Sequence, residues 1–144
     1  MGDGNLEHKR PEILGGRTIK ILVGCGKLYV TLNVKRDERY TSYPLNEIWI
    51  TPSFKDKEAL YCCNAFLIPM ARLLTYIIRR IDEGDRGALI KQLHNHECPK
   101  RSVSTAKSCV DAIARVLLCY WEGHKYKNGR CYVCGEKEVI LESK

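Results

Sequence analysis

The feature that most constrains this chain is a change of hydrophobic period at Pro52. Before it, Leu28, Val30, Leu32 and Val34 alternate at period two, as a half-buried strand requires. After it, Ala59, Cys63, Phe66, Leu67, Met70, Leu73, Leu74, Ile77 and Ile81 recur at spacings of three and four. That spacing predicts an amphipathic helix of roughly 24 residues. Strands first and helices afterwards make an α+β domain, with the helices gathered on one face of the sheet.

The elements can be placed around that change. Thr18–Val23 and Lys27–Val34 read as strands joined by the turn Gly24-Cys25-Gly26. The charged segment Lys35–Arg39 forms the next loop, and Asn46–Thr51 supplies a third strand. Pro69 falls inside the long helix, so it either kinks the helix or begins a second segment. Gly84 is the expected stop, and a short helix follows over Arg86–His94. Ser108 caps the last helix with Asp111 at capping-box spacing, and Gly123 ends it. Cys131-Tyr132-Val133-Cys134-Gly135 and Val139–Leu141 close the chain as a knuckle and a short strand. The expected fold is therefore a three-stranded antiparallel sheet followed by three helices, with a C-terminal CxxC knuckle. Its expected divisions are a leader over residues 1–16, an α+β domain over 17–121, and the knuckle and terminal strand over 122–144.

Charge and hydropathy narrow the surroundings. Ala59–Ala71 is the longest nearly apolar run, broken by Asn64 and Pro69 and short of the roughly 20 residues that span a bilayer. With a polar N-terminus, this points to a soluble, cytoplasmic protein without a membrane partner. The net charge of +7 favours an anionic partner, although acidic residues are interspersed with the basic ones. Lys100, Arg101, Ser102 and Ser104 lead into the last helix and form a candidate phosphate or nucleotide site. No P-loop, GxGxxG, calcium loop or Ser–His–Asp set is evident. The unpaired edges of a small sheet also invite a homo-oligomer.

Eight cysteines in 144 residues point to metal ligation or thiol exchange in a reducing compartment. Cys131 and Cys134 are the sharpest signal, because CxxC followed by glycine suits tetrahedral zinc. Cys119-x4-His124-x6-Cys131-x2-Cys134 would be a compact local site, with Cys98, His94 and His96 as other completers. Cys62 and Cys119 read more simply as small buried apolar residues. Cys25, Cys63, Cys98 and Cys109 sit at element boundaries or on helix faces, and their convergence would suit zinc or an iron–sulfur cluster. Cys109 is also expected to gain thiolate character from the helix dipole.

Arg10-Pro11, Leu14, Gly16-Arg17-Thr18 and the run Gly24-Cys25-Gly26-Lys27-Leu28-Tyr29-Val30-Thr31-Leu32-Asn33 resemble the start of the TSCPD domain. Leu89–Leu93, Cys98-Pro99 and Ser108-Cys109-Val110-Asp111-Ala112-Ile113-Ala114-Arg115 continue the resemblance, which covers roughly residues 10–119. Val110 stands where the family's namesake motif has proline. The domain forms the C-terminal region of B12-dependent ribonucleotide reductases and also occurs alone. The resemblance implies an accessory module or subunit whose partner is a reductase catalytic chain. It lacks the catalytic barrel, so it would not be catalytic by itself. It also implies a redox alternative for Cys131 and Cys134, since those reductases carry a cysteine pair on a mobile C-terminal tail. Two other readings stay open, a standalone nucleotide-binding or signal-sequestering module, and a zinc-bearing adaptor in a larger assembly.

Overall fold

Alternating apolar residues build the sheet row by row. In a computed structural model, which describes residues 14–35, 45–99 and 106–137, strands β1 (Leu14–Val23), β2 (Gly26–Lys35) and β3 (Leu45–Ser53) pair antiparallel in that order. Ile19 faces Val30, which faces Ile50, while Ile21 faces Leu28 and Leu32 faces Ile48. All of these are buried, so one face of the sheet belongs to the core. The other face carries exposed Thr18, Lys20, Trp49 and Thr51, with Thr18 and Thr31 hydroxyls 2.8 Å apart across the strands. β1 begins at Leu14, so residues 14–16, placed with the leader by sequence, belong to the sheet.

The long helix is one continuous rod over Lys57–Ile78. It consists of α1 (Lys57–Cys62), a π turn over Cys63–Leu67, and α2 (Ile68–Ile78). Pro69 lies in the first turn of α2, where its missing N–H and fixed φ cost least, and the π turn absorbs its steric demand. Ala59, Cys63, Leu67, Ala71, Leu74 and Ile78 form the buried stripe. By length and composition alone this helix could cross a membrane. Its stripe, however, is packed into the protein core.

The rod ends at Ile78, not at Gly84, for a specific reason. Arg79 turns back to β3, donating from Nε to the Asn46 carbonyl at 3.0 Å and lying 3.4 Å from buried Glu47. One turn earlier, Thr75 Oγ1 accepts from the Ile48 amide at 3.0 Å and donates to its carbonyl at 3.3 Å. The helix thus bonds to the backbone of β3 along its outer edge, and that stretch does not template another strand.

A 3-10 turn (Glu83–Asp85) leads into α3 (Arg86–Leu93), and α4 (Cys109–Glu122) closes the core. Ala112, Ile113, Val116 and Leu117 of α4 are fully enclosed, packed under the sheet. Ser108 caps α4 by accepting from the Asp111 amide at 3.0 Å. The Asp111 side chain does not complete a capping box. It is fully buried and accepts from the Asn95 amide (2.7 Å), the Lys107 amide (2.9 Å) and Arg115 Nε (2.8 Å). Burial opposes its ionisation, but the Lys107 and Asn95 amides and the Arg115 guanidinium outweigh it and hold the carboxyl below the usual range.

Residues 36–44, 100–105 and 138–144 lie outside the described residues, as do residues 1–13. The charged loop after Lys35, the basic segment Lys100, Arg101, Ser102 and Ser104, and the terminal strand Val139–Leu141 therefore carry no structural account.

Because Asp111 has a lowered pKa in the folded state, its stabilisation is present above the unfolded carboxylate range, about pH 4, and is lost as pH falls through the folded value. Asp111→Asn should cost about 2–3 kcal/mol near neutral pH by loosening the half-buried Arg115 and the Asn95 and Lys107 amides that the buried carboxylate collects. Urea unfolding at neutral and acidic pH should show the variant's deficit shrinking in acid; a constant deficit would assign the loss to packing.

Candidate metal centre

The C-terminal end of α4 places the first donor. Cys119 is 3% exposed, three residues before the helix end. Gly123, at φ 89°, terminates α4 and turns the chain so that His124 follows at once. Strands β4 (Tyr126–Lys127) and β5 (Arg130–Cys131) then form a hairpin around Asn128 and Gly129, both at positive φ (55° and 79°). That pair is the preferred tight-turn chemistry, and it returns the chain in two residues. Cys131 ends β5, and a turn closed by Gly135 N–H donating to the Cys131 carbonyl at 2.8 Å brings in Cys134.

The four ligand atoms of Cys119, His124, Cys131 and Cys134 all lie within 4.8 Å of one another. Cys119 and Cys131 sulfurs are 3.6 Å apart, and Cys134 Sγ is 3.4 Å from His124 Nδ1. Tetrahedral ligation with metal–sulfur bonds of about 2.3 Å sets sulfurs roughly 3.8 Å apart, so these distances suit a single ion. The surroundings fit as well. His124 Nε2 lies 2.8 Å from Glu136 Oε2, a buried oxygen that no other group among the described residues satisfies. That oxygen calls for a proton on Nε2, which is the tautomer that leaves Nδ1 to ligate. The Glu136 carboxylate also pairs with Arg17 of β1, fastening the knuckle to the sheet.

Thiolate character is distributed unevenly. Hydrogen bonding from Cys119 outweighs burial and, with Cys131 and Arg17, draws Cys134 down to about 7. Cys119 is correspondingly pushed up by its bond to Cys134 and by burial. Burial works against Cys131, but the amides of the knuckle and of Lys125, with His124, hold it below the usual thiol range. The Lys125 amide donates to its sulfur at 3.4 Å. Two residues beyond the ligands bind the centre to the core. Arg115, held by Asp111, donates to the Val133 carbonyl inside the knuckle at 2.9 Å.

The other sequence candidates lie elsewhere. Cys25, Cys63, Cys98 and Cys109 all line a cavity of about 290 Å³, together with Cys62. Among the described residues, no three of them gather as closely as the C-terminal group. Cys62 is exposed, not a buried apolar residue, because the stripe of the rod passes through its neighbour Cys63. The expected dipole activation of Cys109 is overturned. Burial first, and then the nearby thiols of Cys25, Cys63 and Cys98, push it up to about 12. Cys63 is pushed to about 11 by burial, then by Cys62 and Cys25. His94 approaches Asp111 at 3.7 Å, and His96 donates to the Gln92 carbonyl at 2.9 Å, so neither joins the metal group.

A family model described as the TSCPD domain matches residues 5–120. The chain belongs to the TSCPD-domain family. No curated protein and no solved structure matches it. Of the four ligands, Cys119 lies inside the matched TSCPD span, while His124, Cys131 and Cys134 lie beyond it. The centre therefore joins the last helix of the TSCPD domain to the segment that follows it.

Cobalt(II) titration of the metal-free protein reads this ligand set directly. Wild type and Cys62→Ser should both develop the thiolate charge-transfer and tetrahedral d–d bands of a three-sulfur site. Cys119→Ser should weaken cobalt binding at least tenfold, with binding weakening further as pH falls because each thiol must release a proton. Unaltered binding by Cys119→Ser would remove that residue from the site.

Proposed function

We propose that the chain is an accessory, non-catalytic module of a B12-dependent ribonucleotide reductase, stapled by a structural zinc ion at Cys119, His124, Cys131 and Cys134. The observation that carries the zinc reading is the closed donor set. Three sulfurs and one nitrogen within 4.8 Å complete a tetrahedron from protein alone, the pattern of structural rather than catalytic zinc. When bound, the ion supplies no chemistry to a substrate and fixes the knuckle against α4 and β1. Burial argues against the rival thiol shuttle. Cys131 is 1% and Cys134 0% exposed, so neither sulfur can meet a partner disulfide without opening the knuckle.

The reductase reading rests on family membership and on an apolar face available for docking. Tyr61, Phe66, Leu73 and Tyr76 project from the rod at 59–78% exposure, although their neighbours on the stripe are buried. Large apolar and aromatic side chains left exposed along one helix suit a protein contact. Arg80 lies over the Tyr76 ring at 3.5 Å, giving the patch a cationic border.

Gel filtration with the B12-dependent reductase catalytic chain of the same genome tests this reading. The wild type should co-elute with it, and Phe66→Asp with Leu73→Asp should weaken association at least tenfold while zinc content and unfolding midpoint stay unchanged. Absence of co-elution, with no effect of the module on reductase turnover, would contradict the docking role.

A further inference from the structure

Every cysteine of the chain belongs to one of two groups. Three join His124 in the C-terminal centre, and the other five, Cys25, Cys62, Cys63, Cys98 and Cys109, line the cavity of about 290 Å³. The five come from four separate segments. Cys25 sits in the β1–β2 turn, Cys62 and Cys63 where α1 enters the π turn, Cys98 in the α3–α4 connection, and Cys109 at the first residue of α4. Buried cysteines used only as small apolar residues have no reason to converge from four segments on one open space. A ligand does supply that reason.

The size of the space indicates what kind of ligand. In the C-terminal group the sulfurs have already closed to the spacing of a single ion. Around the cavity no three of them gather into such a single-ion group among the described residues. The volume of this half-open cavity is many times the roughly 30 Å³ that a water occupies in the liquid. One metal ion would leave most of that space empty. An iron–sulfur cluster, a polynuclear core held at its corners by four thiolates, would fill it and needs a wider sulfur spacing.

We propose that this cavity is an iron–sulfur site in which Cys25, Cys63, Cys98 and Cys109 each supply one thiolate. The local structure selects these four. Adjacent helical residues do not share a face, so Cys62 and Cys63 cannot both point at the centre. Cys63 is 2% exposed and begins the π turn, a helix distortion common at functional sites, whereas Cys62 is exposed. Cys25 is carried between Gly24 and Gly26; Gly26 adopts φ 140°, and a side chain there would press on Phe54 and the Ser53 carbonyl. The turn can therefore lie close against the cavity wall. Phe54, Leu67 and Met70 supply apolar walls, which limit water around a cluster. Binding is a ligand exchange without change of oxidation state. For each cysteine, an iron–thiolate bond to the departing small thiol breaks, an iron–Sγ bond forms, and the cysteine proton leaves on that thiol. This site is separate from the C-terminal metal centre and does not depend on the reductase reading.

The experiment is anaerobic transfer of a preformed iron–sulfur cluster ligated by a small thiol into the full chain, followed by gel filtration. Iron, sulfide and zinc are then counted, and visible absorption and circular dichroism are recorded. One cluster per chain is expected, retained by Cys62→Ser and reduced at least tenfold by Cys63→Ser and by Cys109→Ser, with zinc at the C-terminal centre unchanged as the check of folding. Should either of those variants unfold the chain, Cys25→Ser and Cys98→Ser, at half-buried positions, carry the same expectation. Failure to retain iron would overturn the proposal. So would equal retention by the serine variants, or a second zinc ion held by these thiols in place of a cluster.

Discussion

The buried carboxylate of Asp111 is the interaction on which the rest of this structure depends. A charge without solvent is costly unless it is paired and hydrogen-bonded, and here it is both. Its two oxygens collect the Asn95 and Lys107 amides and Arg115 Nε. The two amides belong to opposite ends of the segment joining α3 to α4. Arg115 continues outward to the Val133 carbonyl. One side chain therefore fixes the start of α4, the connection carrying Cys98, and the knuckle carrying Cys131 and Cys134. The position of α4 is set at one end by Asp111 and at the other by Cys119.

That arrangement explains how a small domain keeps two cysteine groups apart. α4 places Cys109 at its N-terminal end and Cys119 near its C-terminal end, nearly three turns away at about 3.6 residues per turn. The first faces the cavity bounded by the rod and the β1–β2 turn, and the second faces the hairpin. The electrostatics differ accordingly. Hydrogen bonds from Cys119 and Cys131, with Arg17, favour thiolate on Cys134, and the knuckle and Lys125 amides with His124 favour it on Cys131. Around the cavity, burial and neighbouring thiols raise Cys63 and Cys109 instead.

Much of the fold was legible from hydrophobic period. The strand register follows from alternation through Leu28, Val30 and Leu32, and the rod from three-and-four spacing with Pro69 starting its second part. The helix stop was not legible, because Arg79 ends the rod through bonds to Asn46 and Glu47, residues more than 30 positions away. Cys119 was legible as one member of the compact local set but read more simply as a core residue, for a different reason. A ligand at the inner face of a helix has the same periodicity as a core residue, and only its distance to Cys131 separates the two. Asn128-Gly129 was a readable hairpin signal, and it would have favoured the compact local ligand set. Glu136, one residue past the CxxC-glycine motif, has no sequence signature as the partner of His124. The convergence of Cys25, Cys63, Cys98 and Cys109 on one cavity depends wholly on tertiary packing.

The central claim is that Cys119, His124, Cys131 and Cys134 form one structural metal site that locks the knuckle to the family domain. X-ray absorption at the zinc edge of the purified protein tests it most directly. The account predicts a shell of three sulfurs at about 2.3 Å and one nitrogen at about 2.0 Å. Absence of bound zinc, or a shell of two sulfurs completed by oxygen, would contradict it.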